Sequence, residues 1–230
     1  MGMRMRDKVC VVTGGARGIG RGVVEAFARE GAKAVWALDV SDKDFPELEA
    51  AFPGVVRGAV VDVTDSAAVN ALAARIKAEC GRIDALVNNA GITRDGTFHK
   101  MKADQWTDVI NTNLNSVFNV TRPVIEGMRE RKWGRVIQIS SINGLKGQYG
   151  QANYAAAKAG QVAFTRSLSK EVARRGITAN CVSPGFIDTD FIGGLPPEQL
   201  KGYRDLVPLR RFGTPADVAQ AVLFLASKEA

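Results

Sequence analysis

Histidine and cysteine are scarce in this chain, and long apolar runs are missing altogether. One histidine, His99, and three cysteines, Cys10, Cys80 and Cys181, are spread over 230 residues. None stands at metal-ligand spacing, so no metal site is expected, and an odd number of distant cysteines argues against a disulfide framework. Each cysteine lies in or beside an apolar stretch and should be a buried small hydrophobe in a reducing compartment. No apolar run approaches the ~20 residues that span a bilayer. The opening MGMRMRDK lacks the apolar segment of a signal peptide, and Arg6 breaks the acylation pattern that Gly2 would begin. A cytoplasmic protein without a membrane anchor is expected. Linkers, low-complexity tracts and repeats are missing too, which with 46% hydrophobic content suits one domain over residues 1–230.

Charge is present in excess of one sign. The net charge is +7, with basic residues bunched at Arg129, Arg131, Lys132 and Arg135, at Arg174 and Arg175, and at Arg210 and Arg211. Such a balance suits nucleic acid, acidic lipid or an anionic small molecule or carrier. No aromatic interleaving or nucleic-acid motif accompanies these residues, so nucleic acid is not expected as a partner. Most of them should form a solvated rim.

Apolar runs of strand length alternate with helical periodicity. Val9–Val12, Ala34–Leu38, Val55–Val61, Ala85–Val87, Arg135–Ile139 and Ile177–Val182 are predicted strands. Between them, Ile19, Val23 and Phe27 recur until Gly31; a short helical piece lies between Pro46 and Pro53; and Val69, Leu72, Ala73 and Ile76 form a stripe ending at Gly81. Trp106, Ile110, Val117, Val120, Val124 and Met128 predict one long helix, and another that begins near Tyr154 carries Val162, Phe164 and Leu168. Strands joined by helical crossovers imply an α/β protein with a parallel sheet layered by helices. Residues 186–209, with three prolines and weak periodicity, follow the last predicted strand and should fold over a ligand as a lid.

The residues that carry chemistry sit at strand ends. Thr13-Gly14-Gly15-Ala16-Arg17-Gly18-Ile19-Gly20 joins the first strand to the first helix, where glycines permit a tight turn and close approach of a pyrophosphate to a helix N-terminus. The spacing of Gly14, Gly18 and Gly20 departs from G-x-G-x-x-G and marks a variant of that dinucleotide fingerprint. Asp39 ends the second strand, where an acidic side chain bonds the adenosine ribose and repels a 2′-phosphate, which favours NAD; Arg17, able to contact that phosphate, points to NADP. Asp62, before Val63, is placed to reach an adenine amino group or to cap a helix. Asn88-Asn89-Ala90-Gly91 lets the chain pass close to an adenosine. Asn113 falls on an apolar stripe, where an unpartnered amide would cost roughly 1 to 3 kcal/mol, so it either bonds locally or holds a water for proton relay. Tyr154 and Lys158 project from one helix face at i, i+4 spacing. A free tyrosine loses its proton near pH ~10, and an adjacent ammonium should pull that value toward neutrality, making a general acid/base. Ser141 can bring a hydroxyl to the same place. Taken alone, Y-x-x-x-K is commonplace, and its setting gives it weight.

These motifs, TGGARGIG at 13–20, NNAG at 88–91, Asn113, Ser141, Tyr154 with Lys158, and Pro184-Gly185 followed by Thr189, resemble the short-chain dehydrogenases/reductases along almost the whole chain. NNAGITRD at 88–95, KGQYGQANYAAAKAG at 146–160 and VSPGFIDTD at 182–190 are similar to the members that reduce 3-oxoacyl thioesters of acyl carrier protein or coenzyme A. The resemblance implies a single-domain Rossmann-like doubly wound sheet, a catalytic tetrad of Asn113, Ser141, Tyr154 and Lys158, and a nicotinamide near Ile187 and Thr189. Gln148, Tyr149, Gln151 and Phe186 become candidates for the acyl pocket, Lys132 and Arg175 for meeting an acidic carrier, and a homotetramer is expected. Two departures stand out. Asp39 is unexpected among the NADPH-using reductases, and the family continues past the position of Ala230 into a further strand, so the sequence is either a fragment or lacks a sheet edge. A dehydrogenase of another secondary alcohol or sugar, and a catalytically silent nucleotide-binding scaffold, are the competing readings.

Overall fold

The computed structural model of the protein describes residues 3–189 and 196–230. Its described strands are β1 Val9–Thr13, β2 Ala34–Asp39, β3 Val56–Val60, β4 Ala85–Asn88, β5 Gly134–Ile139 and β6 Ile177–Val182. They pair in parallel in the order β3-β2-β1-β4-β5-β6. The pleat sends alternate residues to opposite faces, and here both faces are apolar. Cys10 and Val12 of β1 join Val35, Ala37, Ile137 and Ile139 in one core with Val23, Val24 and Phe27 of α1 (Gly18–Arg29). Val9 and Val11 join Trp36, Leu38, Leu86 and Val136 in the other. The first core is closed by α9 (Pro215–Ala226), through Val218, Ala219, Val222 and Leu223. The second is closed by α3 (Ser66–Cys80) and α5 (Ser116–Arg131).

The helix punctuation follows from single residues. Gly81 ends α3 at φ 79°, a left-handed conformation that glycine takes without penalty. Asp65 caps its start, accepting from the amides of Ala67 and Ala68 at 2.9 and 3.0 Å. The cap is therefore Asp65, whereas Asp62 closes a tight turn by accepting from the Thr64 amide and hydroxyl, both at 2.8 Å. The short helix α2 covers Phe45–Ala51.

Two predicted helices differ from expectation. The single helix from Trp106 to Met128 is instead α4 (Ala103–Ile110), a π turn (Asn111–Asn115) and α5. The turn's extra residue shifts the phase, so Val117, Val120, Val124 and Met128 are buried while Trp106 is exposed. Such insertions persist where outside partners hold them, and Asn113 has three, described below. On α7 (Ala152–Val172), Val162, Phe164 and Leu168 are only half-buried. The buried face instead carries Asn153, Ala157, Lys158, Gln161, Thr165 and Val172. That face meets the carbonyls of Arg94, Gln105, Asn113 and Ile139, so hydrogen-bonding side chains displace apolar ones.

The expected lid at 186–209 lies partly outside the described residues. Within them, α8 (Pro197–Leu206) brings Tyr203 against Phe186, ring centroids 4.8 Å apart, and Phe212 lies 5.9 Å from Phe186. Ile187 pairs with Gly213, and the Asp188 amide donates to the Gly213 carbonyl at 2.7 Å, tying the loop after β6 to the start of α9.

Candidate active site

The order of the sheet reverses about β1: the chain builds outward through β2 and β3, then returns to place β4 on the other side. Crevices at such a reversal, beyond the carboxyl ends of the strands, are where open α/β sheets bind ligands. The loop after β1 has the form of a cradle. Gly14 and Gly18 have φ of 60° and 56°, and a Cβ placed on Gly20 would lie 1.9 Å from the Gly14 carbonyl oxygen. Helix α1 starts at Gly18 with no side-chain cap and no acid in its first turn, so its amides are free for an anion. Ile19 packs against the core below, and Arg17 is exposed at the rim.

Neighbouring loops hold this cradle in place. The Asn89 side-chain amide donates to the carbonyls of Thr13 and Gly14, both at 3.0 Å, while the Thr13 hydroxyl accepts from the amides of Asn89 and Ala90. Asn88 donates to the Thr121 hydroxyl. Asp39 turns toward the glycine loop: it accepts from the Ala16 amide at 3.3 Å and from the Val40 amide at 2.9 Å. Thr189 approaches from the opposite side, its Cγ2 3.6 Å from where a Gly18 Cβ would be. Asp62 is exposed and Val63 buried at the end of β3, on the same edge. The Pro184 carbonyl accepts from the Ile142 amide at 3.0 Å, and Gly185 is exposed beside it.

On the far side of β4 the residues of the predicted tetrad converge. Asn113 is fully buried; its side chain grips Ile92, accepting from the amide at 2.8 Å and donating to the carbonyl at 2.9 Å. Its own carbonyl accepts from Gln161 Nε2 at 2.6 Å. Of the two roles open to Asn113 from the sequence, local bonding is the one observed. Lys158, 3% exposed, donates to the Ile139 carbonyl at 2.7 Å and toward Gln161 Oε1 at 3.4 Å, and its Nζ is 5.6 Å from the Tyr154 ring centroid. A Cβ on Gly91 would lie 3.3 Å from Asn113 Oδ1 and 3.6 Å from Lys158 Nζ, so these three share one pocket wall.

The electrostatics correct one expectation. Tyr154 is not pulled toward neutrality: burial pushes its phenol up from the ordinary value, the Ser141 hydroxyl pulls down against this, and Asp95 adds to the rise. Lys158 does not win because its own burial lowers it to about 8, and its nearest partners are the Ile139 carbonyl and Gln161. Desolvation disfavours both charged forms, so the pair rests as a neutral phenol beside a lysine that titrates just above neutrality.

The acyl-pocket candidates separate. Gln151 is buried with its amide committed, donating to Asp95 and accepting from Asn143, both at 2.9 Å. Gln148 and Tyr149 are exposed, Tyr149 at 86%, and Phe186 is half-buried in its aromatic stack. Cys10 is a core residue as expected, whereas Cys181 is half-buried near Lys158 rather than in the core. Three polar residues had been given no role of their own from the sequence. Thr13 orients the 89–90 amides. Asn153 donates to the carbonyls of Arg94 and Gln105 at 3.0 and 2.9 Å and anchors the start of α7. Gln161 links Asn113 to Lys158. Their signal was position, since Gln161 stands three residues past Lys158 on the same helix face.

A sheet that reverses at β1, with a glycine cradle on one side and a serine, tyrosine and lysine on the other, defines an oxidoreductase of the NAD(P)-dependent class. The cradle fits such a dinucleotide, because glycines at 14, 18 and 20 let the loop fold tightly onto the uncapped start of α1, whose amides suit a pyrophosphate. The chain belongs to the short-chain dehydrogenase family, whose model, described as short chain dehydrogenase, matches residues 8–199. It is 44% identical over 228 residues to the 3-oxoacyl-(acyl-carrier-protein) reductase FabG of Escherichia coli (strain K12), covering 99% of this chain and 93% of that protein. It is 42% identical to the enzyme of the same name from Vibrio harveyi, with the same coverage. An acetoacetyl-CoA reductase of Shinella zoogloeoides is 45% identical over 230 residues, 97% of this chain and 92% of that protein.

Proposed function

We propose that this protein reduces 3-oxoacyl thioesters, carried on acyl carrier protein or coenzyme A, to 3-hydroxyacyl thioesters, with NADH as the preferred reductant. The observation that carries this reading is the meeting of three groups at the crevice: Lys158 Nζ lies 5.6 Å from the Tyr154 ring centroid, and the Ser141 hydroxyl bonds the phenol. A phenol so placed can give a ketone oxygen its proton in reduction. A nicotinamide held by the glycine cradle would supply the hydride. Ser141 offers its hydroxyl to the carbonyl oxygen as negative charge develops there, and Tyr154 gives that oxygen its proton. Lys158, charged below about pH 8, stabilises the phenolate left behind. Asn113 acts by position, holding Ile92 and the π turn. The preference for NADH rests on the Asp39 carboxylate beside the glycine loop, with Arg17 at the rim able to meet a 2′-phosphate.

Tyr149, Gln148 and Phe186 are proposed to border the acyl chain, and Gln151 to support that wall through Asp95 and Asn143. The exposed Lys132 and Arg175 suit an acidic carrier or the phosphates of coenzyme A, and a homotetramer in the cytoplasm is proposed. Among the described residues no helix is long and apolar enough to cross a membrane. The test is a matrix of NADH and NADPH against acetoacetyl-CoA, acyl-carrier thioesters, small ketones and sugars, with Tyr154→Phe as control. Turnover of thioesters, lost in Tyr154→Phe, is expected. Faster turnover of simple ketones or sugars would overturn the substrate assignment, and folded protein silent with both cofactors would favour a scaffold.

A further inference from the structure

Gln161 has no part in the reaction as described, yet it touches two of its residues. It is 1% exposed, and a buried amide needs partners for both its ends. Nε2 donates to the Asn113 carbonyl and Oε1 receives Lys158 Nζ. The carbonyl it reaches belongs to the π turn, whose i→i+5 register departs from the run of α4 and α5. The helix backbone in turn accepts the Thr165 hydroxyl at the Gln161 carbonyl, at 2.7 Å.

An ammonium has three N–H directions set tetrahedrally. The Ile139 carbonyl takes one and Gln161 Oε1 a second, which fixes the third. We infer that Gln161 is a positioning residue for the reduction: strung between the Asn113 carbonyl and the Lys158 ammonium, its amide aims the one ammonium proton left for the site and supports the lysine's charged form. This rests on the proposed role of Lys158 beside Tyr154.

The other ionisable groups near Lys158 are few. Tyr154 lies on its own helix, Cys181 on β6 raises it, and Asp95 acts on Tyr154. The π turn has no titratable residue, Lys146 at the end of α6 (Asn143–Lys146) is exposed, and Arg135 of β5 bonds the carbonyls of Ser227 and Ala230. No carboxylate pairs with Lys158 among the described residues, so the neutral acceptor on Gln161 matters.

The test is the pH profile of kcat/KM for NADH-dependent acetoacetyl-CoA reduction in wild type and Gln161→Met, with Tyr154→Phe and Lys158→Met in parallel and circular dichroism to check folding. Methionine fills the same space without donor or acceptor. Losing the acceptor disfavours the charged lysine, so the alkaline limb should move down by about half a pH unit or more. At neutral pH kcat should drop about tenfold, with the substrate KM nearly unchanged. A limb that stays at the wild-type position overturns the inference, even if kcat declines together with melting temperature. If Gln161→Met does not fold, Gln161→Glu replaces it: a carboxylate beside the ammonium should move the limb up, and an unmoved limb overturns the inference. Wild-type turnover in both Tyr154→Phe and Lys158→Met would instead sink the reading of the site, and the inference with it.

Discussion

The two sides of the crevice are made of different material. Beside β1 the site is main chain: glycines at 14, 18 and 20, free amides at the start of α1, and two carbonyls held by Asn89. Beside β5 it is buried polar side chain, with Asn113, Lys158 and Gln161 each at 3% exposure or less. The first arrangement suits a charged group by shape and dipole, with the ionisable side chains of Asp39 and Arg17 only at its border. The second takes ionisable groups out of water and shifts both of them, Tyr154 up and Lys158 down. On the proposed roles, binding and chemistry fall on the two sides of β4, and substitutions should separate them.

The largest expected effect is on the chemical side alone. Tyr154→Phe removes the proton donor and should lower kcat by about 10²- to 10⁴-fold. The dinucleotide affinity, measured by fluorescence titration, should change little, because the cradle is untouched. A comparable loss of affinity would mean that the two sides are not independent. Gly20→Ala is the converse break: its methyl would collide with the Gly14 carbonyl, forcing the loop to move. Overpacking of this kind costs about 1 to 3 kcal/mol, so calorimetry should show a lower melting temperature together with weakened dinucleotide binding. Retained affinity would contradict the shape argument.

The same contrast explains what was legible in the sequence. Short apolar runs placed all six described strands within a residue or two, because a strand buried on both faces leaves little choice of composition. The glycine cradle was legible because only glycine tolerates Gly14's positive φ and the closeness of Gly20 to Gly14. That Tyr154, Lys158 and Ser141 lie near one another was legible too. Their electrostatics were not, since i, i+4 spacing says that two groups are close and nothing about how much water each has lost. The π turn was invisible because Asn113 is held from outside its own helix, by Ile92 and Gln161, contacts between residues 21 and 48 positions apart. The buried face of α7 was not legible for a related reason: Gln161 and Thr165 look like solvent-facing residues until their partners are known.

Lys158 gives the comparison a pH axis. Its value near 8 in the folded protein lies below the ~10.4 of a free lysine. Between those limits the unfolded chain binds the extra proton, so this group's burden on stability is relieved as pH rises from 8 toward 10 and is fully present below 8. Activity has the opposite sign, because the charged lysine is the useful form: kcat/KM should fall as pH rises through about 8. The difference in melting temperature between wild type and Lys158→Met, followed from pH 7 to 10, isolates this group from Tyr154 and the cysteines. That difference should move in favour of wild type above pH 8, and a flat difference would mean that the ammonium is well solvated.

The smallest expected effect lies on the cradle side, at Asp39. Its carboxylate is fixed by the Ala16 and Val40 amides at the end of β2, so a 2′-phosphate placed there would meet a like charge that cannot swing away. Repulsion at contact distance discriminates more sharply than a flexible cation attracts, and Arg17 is exposed. Asp39→Ala should therefore shift the ratio of kcat/KM values toward NADPH, by about tenfold, or ~1.4 kcal/mol. NADH turnover should fall modestly as the ribose loses an acceptor. Arg17→Ala in the same background should then take back part of the gain. A cofactor ratio unmoved by Asp39→Ala would place the ribose elsewhere and make the carboxylate a brace for the loop.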